Sequence, residues 1–273
     1  LHFSRGRSTF GVNRRLPDGQ GGVRFAPNAA GSIDRDLDTL WCTDSQGRPL
    51  ASLTFYGCHP TSRGGYLIGG DYPGYLCRTL EEETGAPAFF ATGCAGDVRP
   101  WFKSPDGGFA TPDLGQLEAA GRAMAAQVLQ ARSQSVPLAA DQLRLAGAHH
   151  LLPYTGLPTR PQLQDTAANP ASPLHQQWAR TMLELEANGS LPPACPQEIQ
   201  ILQLNPDFRL VFLGGEVLSA IGLHLKAALQ PATTVVAAYS NGLIGYVPSE
   251  DTYDLGGYEV NGSHYYFLRP APF

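Results

Sequence analysis

No stretch of this chain comes near the ~18 consecutive apolar residues of a membrane-spanning helix, so no transmembrane segment is expected. Charge is scarce as well. Only 16% of the 273 residues are charged, the formal net charge is −5, and the basic residues are scattered. Without a basic stripe, no nucleic-acid partner is expected. The five cysteines (Cys42, Cys58, Cys77, Cys94 and Cys195) are odd in number and include no CxxC pair. They read as buried free thiols rather than a disulfide framework or a thiolate zinc site. Internal repeats and low-complexity tracts are lacking. No charged-then-apolar leader follows Leu1, and the chain runs out at Arg269-Pro270-Ala271-Pro272-Phe273 without a terminating element. The expectation is a fragment or processed piece that lacks an N-terminal part.

What is present allows a sizeable core, since 42% of the residues are hydrophobic, and 31 Gly with 23 Pro suggest a loop-rich, enzyme-like domain. Residues 1–35, rich in Gly, Arg, Pro and Asn, show no sustained period and read as an extended loop. Leu50 to Tyr56 alternates like a strand ended by Gly57. A helix is expected from Tyr72 to Thr84, with Asp71 as N-cap, Pro73 in the first turn and Gly85 as the stop. Pro87 to Thr92 reads as a short buried strand. About Pro112 to Arg132 reads as a helix with Leu117, Ala120, Met124 and Val128 on one face. Residues 153–195 are polar and Pro-rich apart from a helical stretch near Leu174 to Ala187, and could form a lid or insertion. Ile199 to Leu204 and Arg209 to Leu213 read as a hairpin through Asn205-Pro206-Asp207. A helix from Glu216 to Leu229, a strand from Thr234 to Tyr239 and a structured aromatic loop from Gly242 to His264 complete the chain. Strands alternating with helices imply a layered α/β domain with a mixed central sheet flanked by helices.

Each short apolar strand runs into glycine and reactive side chains. Phe55 leads to Gly57-Cys58-His59-Pro60-Thr61-Ser62, and Phe90 to Gly93-Cys94-Ala95-Gly96-Asp97-Val98-Arg99-Pro100. Phe212 leads to Gly214-Gly215-Glu216, and Val236 to Tyr239-Ser240-Asn241-Gly242. Ligands of open α/β sheets bind at carboxyl ends of strands, where such loops converge. Singly, the residues have ordinary readings. His59 suits a histidine bonded to nearby backbone, Glu216 a favourable charge at a helix N-terminus, and Tyr246 a core or stacking tyrosine. His149 and His150 are adjacent and point apart, so they read as strand or surface residues, and His224 as packed or solvated.

Taken in order, these segments resemble the neutral/alkaline ceramidase family in its catalytic N-terminal domain. The matching stretches are Gly57 to Ser62, Gly70-Asp71-Tyr72-Pro73-Gly74-Tyr75, Ala95 to Pro100, Gly214-Gly215-Glu216, and Asn241 to Pro248 through Gly257-Tyr258-Glu259. The resemblance implies a zinc-dependent hydrolase of the amide bond in an N-acyl small molecule or lipid. It also implies zinc ligands at His59, Glu216 and Tyr246, and a Tyr258 hydroxyl near the reacting carbonyl, able to stabilise an oxyanion. Two departures stand out. The family's other zinc histidine lies in a His-Thr-His-like motif of a segment preceding these residues, expected to complete the site. Arg99 occupies the position of a serine proposed as nucleophile, which leaves zinc-activated water as the route. Arg99 is then open to an anionic group on the substrate or to an ion pair with Asp97 or another carboxylate.

Overall fold

The computed structural model describes residues 1–273 and overturns the expectation of an extended loop at the start. Three strands lie there: β1 (His2–Arg7), β2 (Gly11–Pro17) and β3 (Val23–Asn28). Their pattern is hard to read because the buried residues of β2 include Asn13, Arg14 and Arg15, which are polar. Hydropathy marks such positions as solvated, whereas here each has a partner that makes burial tolerable. Next come β4 (Asp36–Thr43), β5 (Pro49–Tyr56), α1 (Asp71–Thr84), β6 (Ala88–Thr92), β7 (Val98–Pro100) and α2 (Leu114–Arg132). They are followed by β8 (Val136–Pro137), β9 (Arg144–Pro153), α3 (Arg160–Ala168), α4 (Pro173–Ala187), β10 (Ala194–Asn205) and β11 (Phe208–Leu213). The last are β12 (Glu216–Val217), α5 (Ser219–Ala228), β13 (Thr233–Ala237) and β14 (Tyr246–Val247), with short turns of 3-10 helix at Glu250–Thr252 and π-helix at Tyr258–Gly262.

The class is mixed α/β. One sheet has the order β6-β5-β4-β1-β8 and the other β13-β11-β10-β9, with smaller sheets β3-β2-β7 and β12-β14 beside them. In the two large sheets only the pairs β5/β6 and β11/β13 are parallel. The large sheets meet where the Ala238 N–H donates to the Thr92 carbonyl at 3.0 Å. Phe3, Phe55, Phe208, Leu210 and Val235 form a shared apolar cluster there.

Helices α1 and α2 cover the first sheet, burying Leu76, Leu80, Met124 and Val128 against Leu37, Trp41 and Tyr56. Each such side chain contributes about 1.5–3 kcal/mol when fully buried. Gly121 lets the helices approach, since a Cβ there would lie 2.5 Å from the Tyr75 Cβ. Helix α1 ends at Gly85 in the left-handed conformation, as expected, at φ 70. Its start differs. The N-cap is Gly70, while Asp71 takes φ 49 and its carboxylate accepts from the Ser62 N–H at 2.9 Å and the Ser62 hydroxyl at 2.6 Å. Asp71 thus ties the loop after β5 to α1.

Two further expectations need correction. Phe89 of β6 is 56% exposed, because one face of that strand is uncovered there. Glu216 does not open a helix: it lies in β12, and α5 begins three residues later, after Leu218. The polar stretch contains α3 as well as α4. This hairpin buries Leu163, Trp178, Ala179 and Met182 and packs against Tyr265 near the C-terminus. His149 and His150 are exposed on β9 and His224 is exposed on α5. All five cysteines are free, with Cys58, Cys94 and Cys195 buried. No helix is long and apolar enough to cross a membrane.

Candidate functional site

The two parallel pairs, joined at Thr92 and Ala238, bring the carboxyl ends of β5, β6, β11 and β13 to one edge. Glycine permits the close packing of the loops there. A Cβ on Gly96 would sit 2.6 Å from the Glu216 carbonyl oxygen, and the Gly96 N–H donates to Val217 O at 2.9 Å. Buried Asp97 fixes the same loop, accepting from Asn13 Nδ2 at 2.7 Å, the Ser219 N–H at 2.8 Å and the Ser219 hydroxyl at 3.0 Å.

His59, Glu216 and Tyr246 come together at this edge. Strands β12 and β14 are parallel with Glu216 opposite Tyr246, so their side chains project side by side. His59 Nε2 lies 2.7 Å from Glu216 Oε2 and 3.4 Å from the Tyr246 hydroxyl. Tyr239, at φ 58 beyond β13, places its own hydroxyl 2.9 Å from His59 Nε2 and 3.4 Å from Glu216 Oε2. His59 Nδ1 is 3.0 Å from the Val98 carbonyl. A carbonyl only accepts, so Nδ1 carries a proton, and Nε2 faces the Glu216 carboxylate, itself an acceptor. Two acceptors at that distance require a proton or a cation between or beside them.

Charge flows into the site from β2. Arg14 donates to the Tyr246 hydroxyl at 3.1 Å and, through Nε, to Glu259 at 2.7 Å, while Arg15 holds the other Glu259 oxygen at 2.7 Å. Burial opposes ionisation of Glu216, but hydrogen bonds from His59 and Tyr246 and the charge of Arg14 outweigh it and hold its pKa below the usual range. Tyr246 moves the other way, pushed up by burial despite Arg14. Tyr258 stacks edge-on to Tyr246 with centroids 5.4 Å apart and remains 42% exposed, at the mouth of the site. Arg99 forms no ion pair with Asp97. Its Nη2 donates to the Thr61 carbonyl at 3.2 Å, and its guanidinium lies over Phe109 and Phe25 at 4.6 and 5.3 Å.

As donors for a metal, the cluster supplies one imidazole, one carboxylate and two phenols. His59 is oriented through Nδ1 as metal-bound histidines are, and the donor types suit zinc. Yet no group of three His, Cys, Asp or Glu side chains converges anywhere in the chain. The donor set is therefore one imidazole short of the set that the sequence resemblance implies.

No family model and no curated protein matches this sequence. Solved structures do. A ceramidase complexed with C2 superposes with a TM-score of 0.64 at 17% identity, over 94% of this chain and 49% of that one. The neutral ceramidase of Pseudomonas aeruginosa superposes with a TM-score of 0.61 at 18% identity, over 94% of this chain and 48% of that one. The chain has the neutral ceramidase fold. It spans about half the length of those ceramidase chains. Within this ceramidase-like fold, sequence reasoning overlooked Tyr239 and Arg14. The first was visible as a tyrosine at the end of a strand already thought to feed the site. The second gave no signal, because its segment read as a loop.

Proposed function

We propose that this ceramidase-like domain hydrolyses the carbon–nitrogen amide bond of an N-acyl lipid or small molecule, with zinc held by His59, Glu216 and Tyr246. The observation that carries the reading is the meeting of these three donors at the joined strand ends, with His59 Nε2 facing Glu216 Oε2 at 2.7 Å. Bound zinc would polarise the amide carbonyl and lower the pKa of its water to about 7. The remaining donor is supplied by an imidazole outside residues 1–273. Val98 fixes the His59 ring, Arg14 fixes the Tyr246 hydroxyl, and Tyr258 borders the position of the reacting carbonyl, where its hydroxyl can donate to the oxyanion.

A serine acyl-enzyme has no support. Arg99 cannot accept an acyl group. The Ser62 hydroxyl is committed to Asp71 at 2.6 Å and that of Ser240 to the Ala238 carbonyl at 3.2 Å. The test uses the complete protein, a chromogenic N-acyl substrate and metal analysis. Glu216→Ala should lose bound zinc and at least ~100-fold in turnover, as expected when a charged ligand is removed. Ser62→Ala and Ser240→Ala should keep most activity. Full activity after rigorous metal removal, or an acyl adduct trapped on either serine, would overturn the reading. The missing imidazole favours one alternative, a non-catalytic lipid or small-molecule binder. That alternative is marked by absence of zinc and of amide hydrolysis. Cleavage of ester analogues alone would instead mark a zinc esterase.

A further inference from the structure

Arg99 is a cation without a counter-ion. An arginine stays protonated in proteins, so partial burial strips water from a charge that cannot be neutralised. Among its polar contacts the side chain has only the Thr61 carbonyl, and its buried Nε has no partner. The carboxylate that acts on it from a distance, Asp71, is committed to Ser62 and to the Tyr72 N–H. Asp97, next but one in sequence, is committed to Asn13 and Ser219. The ring faces of Phe109 and Phe25 offer cation–π attraction of about 0.5–2 kcal/mol, which does not satisfy directed N–H donors.

The neighbouring charge makes this placement more costly. Arg14 and Arg15 share the carboxylate of Glu259 as ion-pair partner, and the charge of Arg14 also acts on Glu216. The Arg14 guanidinium borders the same Phe25 ring, at 5.7 Å, that Arg99 borders at 5.3 Å. Burial first, and Arg14 next, pull the Arg99 pKa below the ordinary arginine range. The location is also informative. Arg99 follows Val98, whose carbonyl holds His59, and it grips Thr61, two residues past His59. Phe25 is 58% exposed and Tyr258 42% exposed, so the rim containing Arg99 is open to a ligand.

We propose that Arg99 binds an anionic group on the substrate, a carboxylate, sulfonate or phosphate, placed beside the scissile amide. A planar guanidinium with free N–H donors pairs with such an oxyanion in two-point geometry, and a preformed cationic rim favours it over a neutral head group. The substrate class is then an N-acyl compound bearing an anion rather than a neutral N-acyl alcohol. This rests on the hydrolase reading only where it says substrate; the anion site itself belongs to the chain.

The experiment compares N-dodecanoyl ethanolamine with N-dodecanoyl glycine, N-dodecanoyl taurine and N-dodecanoyl phosphoethanolamine, so that only the head group changes. The native protein should favour at least one anionic member by about 10–100-fold in kcat/KM, the worth of a charge-assisted pair. Arg99→Gln should bring that ratio close to one through KM, and Arg99→Lys should restore part of it. The anion preferred tells the three chemistries apart. A native ratio near one, or a ratio unchanged in Arg99→Gln, overturns the proposal and leaves the hydrolase reading intact. If nothing is hydrolysed, the hydrolase reading fails, and calorimetric binding of the same four compounds decides the anion site by the same ratio. Thermal melting is the structural control. Removing an unpaired desolvated charge should leave the Tm of Arg99→Gln equal to or above the native value, and a marked fall would assign Arg99 to the scaffold and reject the proposal.

Discussion

Replacing Glu259 by glutamine keeps the shape of the side chain and removes its charge. Glu259 is 4% exposed and accepts from Arg14 and Arg15 at 2.7 Å each, both arginines being buried as well. Glu259→Gln therefore removes the direct ion-pair partner of two buried guanidinium groups and turns an amide N–H₂ toward one of them. Removing one partner of a buried ion pair costs about 3–5 kcal/mol, most of it from the charge left behind. A chain of this size loses about 2–4 °C of Tm per kcal/mol, so the variant should melt about 10 °C lower. The surface pair Arg160–Glu186 is the control. It has the same 2.7 Å separation, but its side chains are 54% and 33% exposed. Glu186→Gln should cost less than about 1 kcal/mol. Calorimetry or thermal circular dichroism on both variants reads the contrast, and equal Tm losses would refute the reasoning. Acid should have a similar effect. Burial opposes the Glu259 charge, but Arg14 and Arg15 hold its pKa below the normal carboxylate value. Its contribution is then present above the unfolded carboxylate pKa and disappears as pH falls through the folded one.

Gly121→Ala would push a Cβ to within 2.5 Å of the Tyr75 Cβ and 2.9 Å of the Tyr72 carbonyl, at the α1–α2 contact. Overpacking of this kind costs about 1–3 kcal/mol, whereas Gly74→Ala, with open space around it, should stabilise α1 by up to about 1 kcal/mol; urea midpoints should separate the two by sign. His264 packs on Tyr265 at 3.9 Å and edge-on to Trp178 at 5.7 Å. Burial, then His175, pull its pKa down to about 4 from 6.5. The unfolded chain therefore binds the proton first, so stability is full above pH 6.5 and declines as pH falls toward 4. The loss is about 1–2 kcal/mol once solvent screening is allowed for. His264→Phe should flatten that slope in Tm, and a slope unchanged by the substitution would reject the assignment.

The elements legible in the sequence were those whose burial follows hydropathy. Leu50 to Tyr56 alternates because Leu53 and Phe55 share one face of β5, packed against the second sheet, and Leu117, Met124 and Val128 recur because α2 has one buried stripe. The start of the chain escaped because β2 buries arginines. Their partners, Glu259 and Tyr246, lie more than 200 residues away, so no local window contains the reason for their burial. Glu216 was misplaced for a related reason. Two glycines before an apolar run resemble a helix start, whereas the tertiary partner of Glu216 is a strand thirty residues later in the chain.

The three residues that meet at the strand ends were easier to single out than the scaffold that holds them. His59, Glu216 and Tyr246 each follow a glycine or an apolar strand end, and glycine is what lets three loops from different strands come within hydrogen-bonding distance. The orienting contacts leave no such trace. The Val98 carbonyl that fixes the His59 ring is a backbone atom, invisible to residue identity, and Arg14 reaches Tyr246 from a segment that hydropathy reads as loop. Arg99 joins the two levels. It lies in β7 opposite Val12 of β2, so the strand that carries the orienting Arg14 also sets the height of Arg99. Its guanidinium in turn reaches the Thr61 carbonyl, two residues past His59, so β2 and the loop after β5 are linked through β7 as well as through Arg14.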